Sequence, residues 1–135
     1  MIPSADRQQA LLATMPNVIV ATVRRDGTPQ LAPNRYLWTG SEFWVATPIG
    51  TAKVRNLRRD PRIVLCIDDP VGGDYVQVTG TATIIEGAAA RDRTLDVCRK
   101  YMTEPEVVPH WDTISATAEY IVIAVRPDRF LWHEH

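Results

Sequence analysis

The sequence has little material for metal or disulfide chemistry. Its only cysteines in 135 residues are Cys66 and Cys98, which are far apart and match no metal-ligand spacing or disulfide framework. We expect both to be reduced thiols, with a single disulfide as the alternative. The histidines are equally few: His110, and His133 and His135 in what we interpret as a frayed C-terminal tail. The sequence therefore predicts no metal site.

An excess of charge and a long apolar run are also missing. Fifteen Lys and Arg nearly balance sixteen Asp and Glu, for a formal net charge of -1, which argues against a general nucleic-acid binder with a basic face. No apolar run approaches the roughly 18 residues of a membrane-spanning helix. The first residues also lack the basic start and apolar stretch of a secretion signal. We therefore expect a cytoplasmic protein with neither a nucleic-acid nor a membrane partner.

Turn and strand signals dominate the rest of the chain, which we expect to form one domain over residues 1–135. The pattern predicts a short helix from Ser4 to before Pro16, a main helix over 88–102 and an irregular segment over 103–113. It also predicts six strands: a hairpin over 17–38, then strands over 43–47, 62–69 and 74–86, and a last strand from 118 that is interrupted or bent near Pro127. Gly80 is expected to allow a bulge. Such long strands in a short chain favour a closed or nearly closed barrel.

The segment "TAKVRNLRRDPR", residues 51–62, carries most of the local positive charge. A strand ending at Thr47-Pro48 and a helix capped by Thr51 would present free backbone N–H groups at one corner. Val54 and Leu57 would face the core, while Lys53 would point away from it in the first helical turn. Because a cation is unfavourable at that end of a helix, its position favours a bound anion such as a phosphate. The alternative is a solvated helix face paired with nearby carboxylates, which suits Arg58 and Arg59 better.

Familiar catalytic motifs are absent: the sequence contains no Ser-His-Asp set, HExxH, CxxC, P-loop or GxGxxG pattern. An anion anchor without an evident acid, base or nucleophile favours chemistry performed by a cofactor. Strand aromatics usually belong to the core or to a dimer contact. Tyr75, which follows two glycines at the start of a long strand, is the best candidate to contact a planar ring.

The order "VIVATVRRDGTPQLAPNRYLW", "FWVATPIGTAKVRNLRRDPRIVLCID" and "DYVQVTGTATII" resembles the pyridoxamine 5'-phosphate oxidase-like family of flavin and deazaflavin split barrels. The similarity covers about residues 17–86, and "KVRNLRRDPR" looks like the form common in the branch that uses the deazaflavin coenzyme F420. The resemblance implies a mainly β fold, a six-stranded antiparallel split β-barrel of the FMN-binding type with flanking helices. It also implies a homodimer with two cofactor sites between the subunits.

The resemblance also assigns residues to the cofactor. The phosphate end of the cofactor would be bound by the strand-to-helix corner, where we expect Arg55 to assist. The residues of this corner are Thr47, Pro48, Thr51, Ala52, Lys53, Arg55 and Asn56. The ring maps to the backbone of the preceding strands, at Leu31, Ala32, Pro33, Asn34, Val45 and Ala46. The partner subunit would contribute Tyr75, Gln77 and Trp132.

Two departures from the family pattern bear on the cofactor. Ala52 stands where the pyridoxamine phosphate oxidases have an arginine, so vitamin B6 oxidation is not expected. Thr51 stands where some deazaflavin-binding relatives have a basic residue.

The leading hypothesis is an F420H2-dependent reductase that transfers a hydride to a small unsaturated substrate such as an enone or a quinone. The proton would come from solvent or from Tyr75, and no other catalytic residue is assigned. The first alternative keeps the fold and uses FMN, as an FMN-dependent oxidase or reductase. The second is a non-catalytic carrier of flavin or haem. The sequence leaves the physiological substrate open.

Overall fold

The computed structural model describes residues 2–133, so the tail residues Glu134 and His135 lie outside the described part. The helices are α1 Ala5–Thr14, α2 Ala52–Arg59, α3 Gly87–Arg99 and α4 Glu104–Ser115. The strands are β1 Val18–Val23, β2 Pro29–Asn34, β3 Leu37–Trp38, β4 Phe43–Pro48, β5 Arg62–Asp68, β6 Tyr75–Ile85 and β7 Tyr120–His133.

All strands belong to one antiparallel sheet in the order β2-β1-β5-β6-β7-β4-β3. Strands β2 and β3 lie at opposite edges of this order, yet only Arg35 and Tyr36 separate them in the chain. Since the three Cα–Cα steps from Asn34 to Leu37 span about 11 Å at most, the sheet must curl until its edges nearly meet. This confirms the predicted mainly β, barrel-like fold with flanking helices.

The structure has seven strands in its described residues where the sequence predicted six. The predicted hairpin strand ending at Trp38 is divided, because the chain leaves β1 after Asn34 and joins β4 at Leu37. Arg35 and Tyr36 connect β2 to β3, and we call this two-residue connection the switch. There the backbone N–H of Tyr36 donates to the Tyr101 hydroxyl at 2.9 Å, not to a neighbouring strand. The side chain of Tyr101, two residues beyond the end of α3, therefore replaces a ladder hydrogen bond at this point.

The barrel interior holds the main core. Alternate residues of β1, β4 and β5 are buried, as the two-residue period of a strand requires, and α2 adds Val54 and Leu57. Helix α3 packs on β4 and β7, with a smaller apolar cluster of Leu95, Cys98 and Val107 between α3 and α4. The two cysteines are free thiols, as expected.

Three sequence-based boundaries need correction. Helix α4 replaces the predicted irregular segment, because Thr103 and Glu106 form a capping box and Pro105 lies in the first turn, where a missing N–H costs nothing. Helix α3 ends at Arg99, not at residue 102. Strand β7 begins at Tyr120, not at residue 118, and it runs through Pro127 without a break, while the bend expected near Pro127 corresponds to a register shift beside that residue.

The bulge expected at Gly80 is present. Gly80 pairs with Pro127 and Thr79 with Arg129, so Asp128 is the extra residue of β7. A Cβ atom on Gly80 would lie 2.6 Å from the carbonyl oxygen of Arg126, which explains why glycine occupies this position.

No helix within residues 2–133 is long and apolar enough to cross a membrane. The cytoplasmic location stays a prediction.

Candidate functional site

The corner between β4 and α2 has the predicted geometry. Strand β4 ends at Pro48, and Thr51 occupies the N-cap position of α2. The expected side-chain cap is wrong, however, because the Thr51 hydroxyl donates to the Pro48 carbonyl at 3.1 Å and makes no bond to the helix. The first N–H groups of an α-helix have no partner within the helix. At this corner they are left without a Thr51 side-chain acceptor and can serve an anion.

Lys53, in the first turn of α2, is the most unusual cation of the site. It is only 8% exposed, whereas the sequence predicted a side chain pointing away from the core. Within residues 2–133 it makes neither a hydrogen bond nor an ion pair, and burial lowers its pKa. Because an unpaired buried ammonium costs free energy, an anion arriving at this corner would relieve that cost.

The arginines of the segment differ in the partners that they contact. Arg55 turns back toward the corner, and its Nη1 donates to the Gly50 carbonyl at 2.6 Å. Arg58 pairs with Glu86, as expected of a solvated helix face, and Arg62 pairs with Asp60. Arg59 instead donates to the Val23 carbonyl and to Oδ1 of Asn56. An open, basic cavity of about 520 Å³ lies along this face of α2, lined by Arg25, Arg55, Asn56, Arg58 and Arg59.

Asn56 is engaged within the protein. Its Nδ2 donates to the hydroxyl of Thr22 at 3.1 Å, and its Oδ1 accepts from Arg59 at 3.1 Å. Thr22 in turn contacts Gln30 of β2 at 3.4 Å. This buried chain of polar groups ties α2 to β1 and β2, and thereby fixes the corner. Sequence reasoning missed Thr22, whose only signal was a hydroxyl among the buried positions of an apolar strand.

The residues predicted to contact a ring lie on two strands that are far apart in the sheet order. On β2, Leu31 and Pro33 are exposed, while Ala32 and Asn34 are half-buried. The Oδ1 atom of Asn34 is the one side-chain oxygen or nitrogen in the described residues that is completely shielded from solvent and has no hydrogen-bond partner. On β4, Val45 is buried in the core and Thr47 is 2% exposed, whereas Ala46 faces outward. Val45 therefore offers only its backbone to a ligand.

The residues assigned to the partner subunit lie elsewhere. Strand β7 pairs with Pro48 at Tyr120 and with Tyr75 at His133, so the corner and Tyr75 are at opposite ends of this 14-residue strand. One chain does not bring the two groups together. Tyr75 begins β6, as predicted, and stacks on His133 with ring centroids 4.3 Å apart.

Gln77 and Trp132 differ in orientation. Gln77 is exposed on the outer face of β6. Trp132 faces the barrel interior, where it stacks on Phe130 at 5.8 Å and packs against the main core. The expected contact between Trp132 and a cofactor stays a prediction. In the structure, the Trp132 side chain packs against the core of its own chain.

The outer face of β1, β2 and β5 carries an apolar patch. The cross-strand register places Leu31 beside Ala21, Ala21 beside Val64, and Ile19 beside both Pro33 and Cys66. Leu31 is 62% exposed, and Ile19 and Val64 are exposed as well. A continuous apolar patch on a sheet face marks an interaction surface. We call this set of residues the apolar face; the exposed Leu131 of β7 lies beyond it, on the other side of Gln77 of β6.

Solved structures with the same fold include proteins of different function. One is an F420 reductase, 25% identical, with a TM-score of 0.75 over 96% of this chain and 98% of that one. A conserved hypothetical protein of Mycobacterium tuberculosis is 23% identical, with a TM-score of 0.83 over 100% of this chain and 87% of the other. A haem storage protein of Vibrio cholerae is 12% identical, with a TM-score of 0.75 over 94% of this chain and 92% of the other.

The sequence profile of one family matches nearly the whole chain, from residue 4 to residue 131. This span contains the curled sheet, the corner at Lys53, both flanking helices α3 and α4, and nearly all of β7. The chain therefore belongs to the pyridoxamine 5'-phosphate oxidase family.

Proposed function

We propose that the protein is an F420H2-dependent reductase that transfers a hydride from the reduced deazaflavin to a small unsaturated substrate such as an enone or a quinone. The observation that carries the proposal is Lys53, a buried and unpaired ammonium in the first turn of a helix whose N–H groups lack a side-chain cap. This arrangement suits the phosphate of a cofactor. The choice of F420 is supported by the similarity, over almost the full length of both chains, to an F420 reductase.

The residues present fit a flavin-type cofactor at both ends. Lys53 and the first N–H groups of α2 would hold the phosphate, and Arg55 lies at the same corner. Additional anionic groups would find the basic cavity along α2. The unpartnered Oδ1 of Asn34 offers an acceptor to a ring N–H, and the small side chains of Ala32 and Ala46 allow a planar ring to approach the backbone.

The protein contributes position more than side-chain chemistry. When bound, the reduced deazaflavin supplies the hydride. Lys53 fixes the anionic end, and the strands hold the ring side, so that a substrate stacked on the ring is already oriented for reaction. The proton that completes the reduction comes from Tyr75 or from solvent.

Tyr75 reaches this site only from a second copy of the chain, because it lies at the other end of β7 from the corner. We propose a homodimer formed through the apolar face, at whose border Gln77 of β6 is exposed beside Cys66. In such a dimer, Tyr75 and Gln77 of one copy complete the site of the other. Trp132 would support the site indirectly, by packing against the core of its own barrel.

An FMN-dependent oxidase or reductase is the second candidate, favoured by membership of a family named for pyridoxamine 5'-phosphate oxidase. The two are separated by titrating the purified protein with F420 and with FMN, followed by assays of reduced F420 with a panel of enones and quinones. Tighter binding of F420 with turnover supports the proposal. Stoichiometric FMN on the purified protein overturns the cofactor assignment, and binding without turnover on the whole panel favours a carrier.

A further inference from the structure

A cavity of about 280 Å³ lies between α3, α4 and the outward face of β4. Its volume is close to the lower end of the range of small-molecule sites, about 300 to 1,000 Å³. Ala46, Val97 and Ile114 give it apolar walls, while polar groups come from Arg35, Tyr101, His110 and Tyr120. We propose that this cavity binds a small carboxylate with an apolar body, whose anionic group is held by Arg35.

Arg35 is unpaired and yet held in place. It belongs to the two-residue switch between β2 and β3, and its Cζ lies 4.8 Å from the centroid of the Tyr101 ring. No carboxylate pairs with it among residues 2–133, whereas Arg7, Arg58, Arg62 and Arg99 all have acidic partners. A planar guanidinium stacked on an aromatic face keeps its N–H groups free for a carboxylate.

Tyr101 is a fixed platform for this arginine. Its hydroxyl accepts the backbone N–H of Tyr36 at 2.9 Å and donates to the Pro16 carbonyl at 2.7 Å. The hydroxyl is therefore occupied, and the ring cannot turn away without breaking both bonds. Arg35, which is itself exposed, therefore places its guanidinium on a ring of fixed position beside the cavity.

The other polar groups near the cavity do not compete for Arg35. The Thr94 hydroxyl donates to the Ala90 carbonyl at 2.7 Å, and burial raises the pKa of the Cys98 thiol, which keeps it neutral. The side chains of His110 and Tyr120 make no hydrogen bond within residues 2–133 and can donate to a second ligand oxygen. The fitting ligand thus has a small apolar body with an anionic oxygen group at one end.

The cavity also bears on the reaction. Ala46 lines it, and the backbone at Val45 and Ala46 is the predicted contact of the cofactor ring. A conjugated acid bound here is the hydride acceptor of the proposed reductase. This last assignment, unlike binding itself, rests on the proposed function.

The test measures binding of trans-cinnamate and of its neutral counterpart cinnamamide to the cofactor-free protein by calorimetry. We expect cinnamate to bind about tenfold more tightly than cinnamamide, as one charge-assisted contact allows. Arg35→Met should abolish this preference and leave cinnamamide binding unchanged. Arg91→Met is the matched control, because Arg91 is a surface residue outside the cavity, and it should keep the preference.

A second variant tests the cavity without touching the charge. Ile114 is half-buried in the wall, so Ile114→Trp can fill the space from its mouth and should weaken both probes. Equal binding of the two probes, a preference that survives in Arg35→Met, or no binding of either probe would overturn the proposal. Because these titrations omit the cofactor, failure of F420 to bind would refute the proposed function and leave the cavity's ligand class standing.

Discussion

The ammonium of Lys100 lies 3.5 Å from the ring centroid of Tyr36 and donates a hydrogen bond to the carbonyl of the same residue at 3.2 Å. It also donates to the Met15 carbonyl at 2.7 Å. The Tyr36 side chain is fully buried, and its hydroxyl donates to Leu12. The C-terminal end of α3 therefore holds α1 and the switch between β2 and β3 in one arrangement.

In Lys100→Met, the free energy of unfolding should lose the part of its pH dependence that comes from the Lys100 ammonium. Burial lowers the pKa of Lys100 to about 8, so between about pH 8 and pH 10.5 the unfolded chain holds a proton that the folded one lacks. The free energy of unfolding of the wild type should therefore rise with pH across this window, relative to Lys100→Met, by up to about 3 kcal/mol. Urea unfolding of both proteins at one protein concentration, near pH 7.5 and near pH 10, measures the change. A difference that is constant or falls with pH contradicts the assignment.

Lys53→Met should separate binding from stability. The variant loses an unpaired buried charge, so the free energy of unfolding of the cofactor-free protein should not fall, while affinity for F420 should fall at least about tenfold. Arg58→Met is the control, since Arg58 is a surface residue paired with Glu86, and it should change F420 affinity little. Unchanged affinity in Lys53→Met would place the anion elsewhere.

The pH dependence of F420 binding gives an independent test of Lys53. Burial lowers its pKa in the free protein, and a bound anion would raise it again, so binding should take up a proton and weaken as pH rises. Calorimetry at several pH values below about 10.5, the ordinary pKa of lysine, in buffers of different ionisation enthalpy counts the protons. The uptake should be larger in the wild type than in Lys53→Met. Equal uptake in both proteins would show that another group is responsible.

The sequence predicted the corner well because its signals are local. Pro48, Gly50 and the basic residues that follow them indicate the end of a strand and the start of a helix within a few residues. Gly80 indicates a bulge because it lacks a Cβ atom. The switch after Asn34 was not predictable in the same way. It depends on Tyr101 and Lys100, 64 or 65 residues further along the chain, which supply hydrogen bonds that a neighbouring strand otherwise would.

The same distinction applies to the site. The charge of Lys53 could be read from the sequence, but its burial depends on how α2 closes the barrel. Neither Thr22 nor Arg35 gave a local signal in the sequence. Thr22 accepts a hydrogen bond from Asn56 of α2, and Arg35 lines a cavity that α3 and α4 form with β4. Residues whose role depends on a distant helix become visible only in the folded chain.

Gly80→Ala should destabilise the protein. The added Cβ would lie 2.6 Å from the Arg126 carbonyl oxygen, a backbone atom of the paired strand that cannot move without disturbing the bulge. We expect a loss of about 1 to 3 kcal/mol, typical of overpacking, measured by urea unfolding. Gly50→Ala is the matched control, because a Cβ at Gly50 meets no atom within 4 Å. Equal stability of the two variants would mean that the sheet relaxes around the bulge.

Leu31→Asp should disrupt the proposed dimer. Leu31 is 62% exposed and lies next to Ala21 on the apolar face, so its charge would be buried without a partner when two copies meet. Val71→Asp is the control, because Val71 is 96% exposed in the loop between β5 and β6. Light scattering during gel filtration should find a dimer for the wild type and Val71→Asp, and a monomer for Leu31→Asp. Since Tyr75 and Gln77 would then be lost from the site, Leu31→Asp should also weaken F420 binding. A monomeric wild type, or a dimeric Leu31→Asp, would exclude the apolar face as the contact between copies.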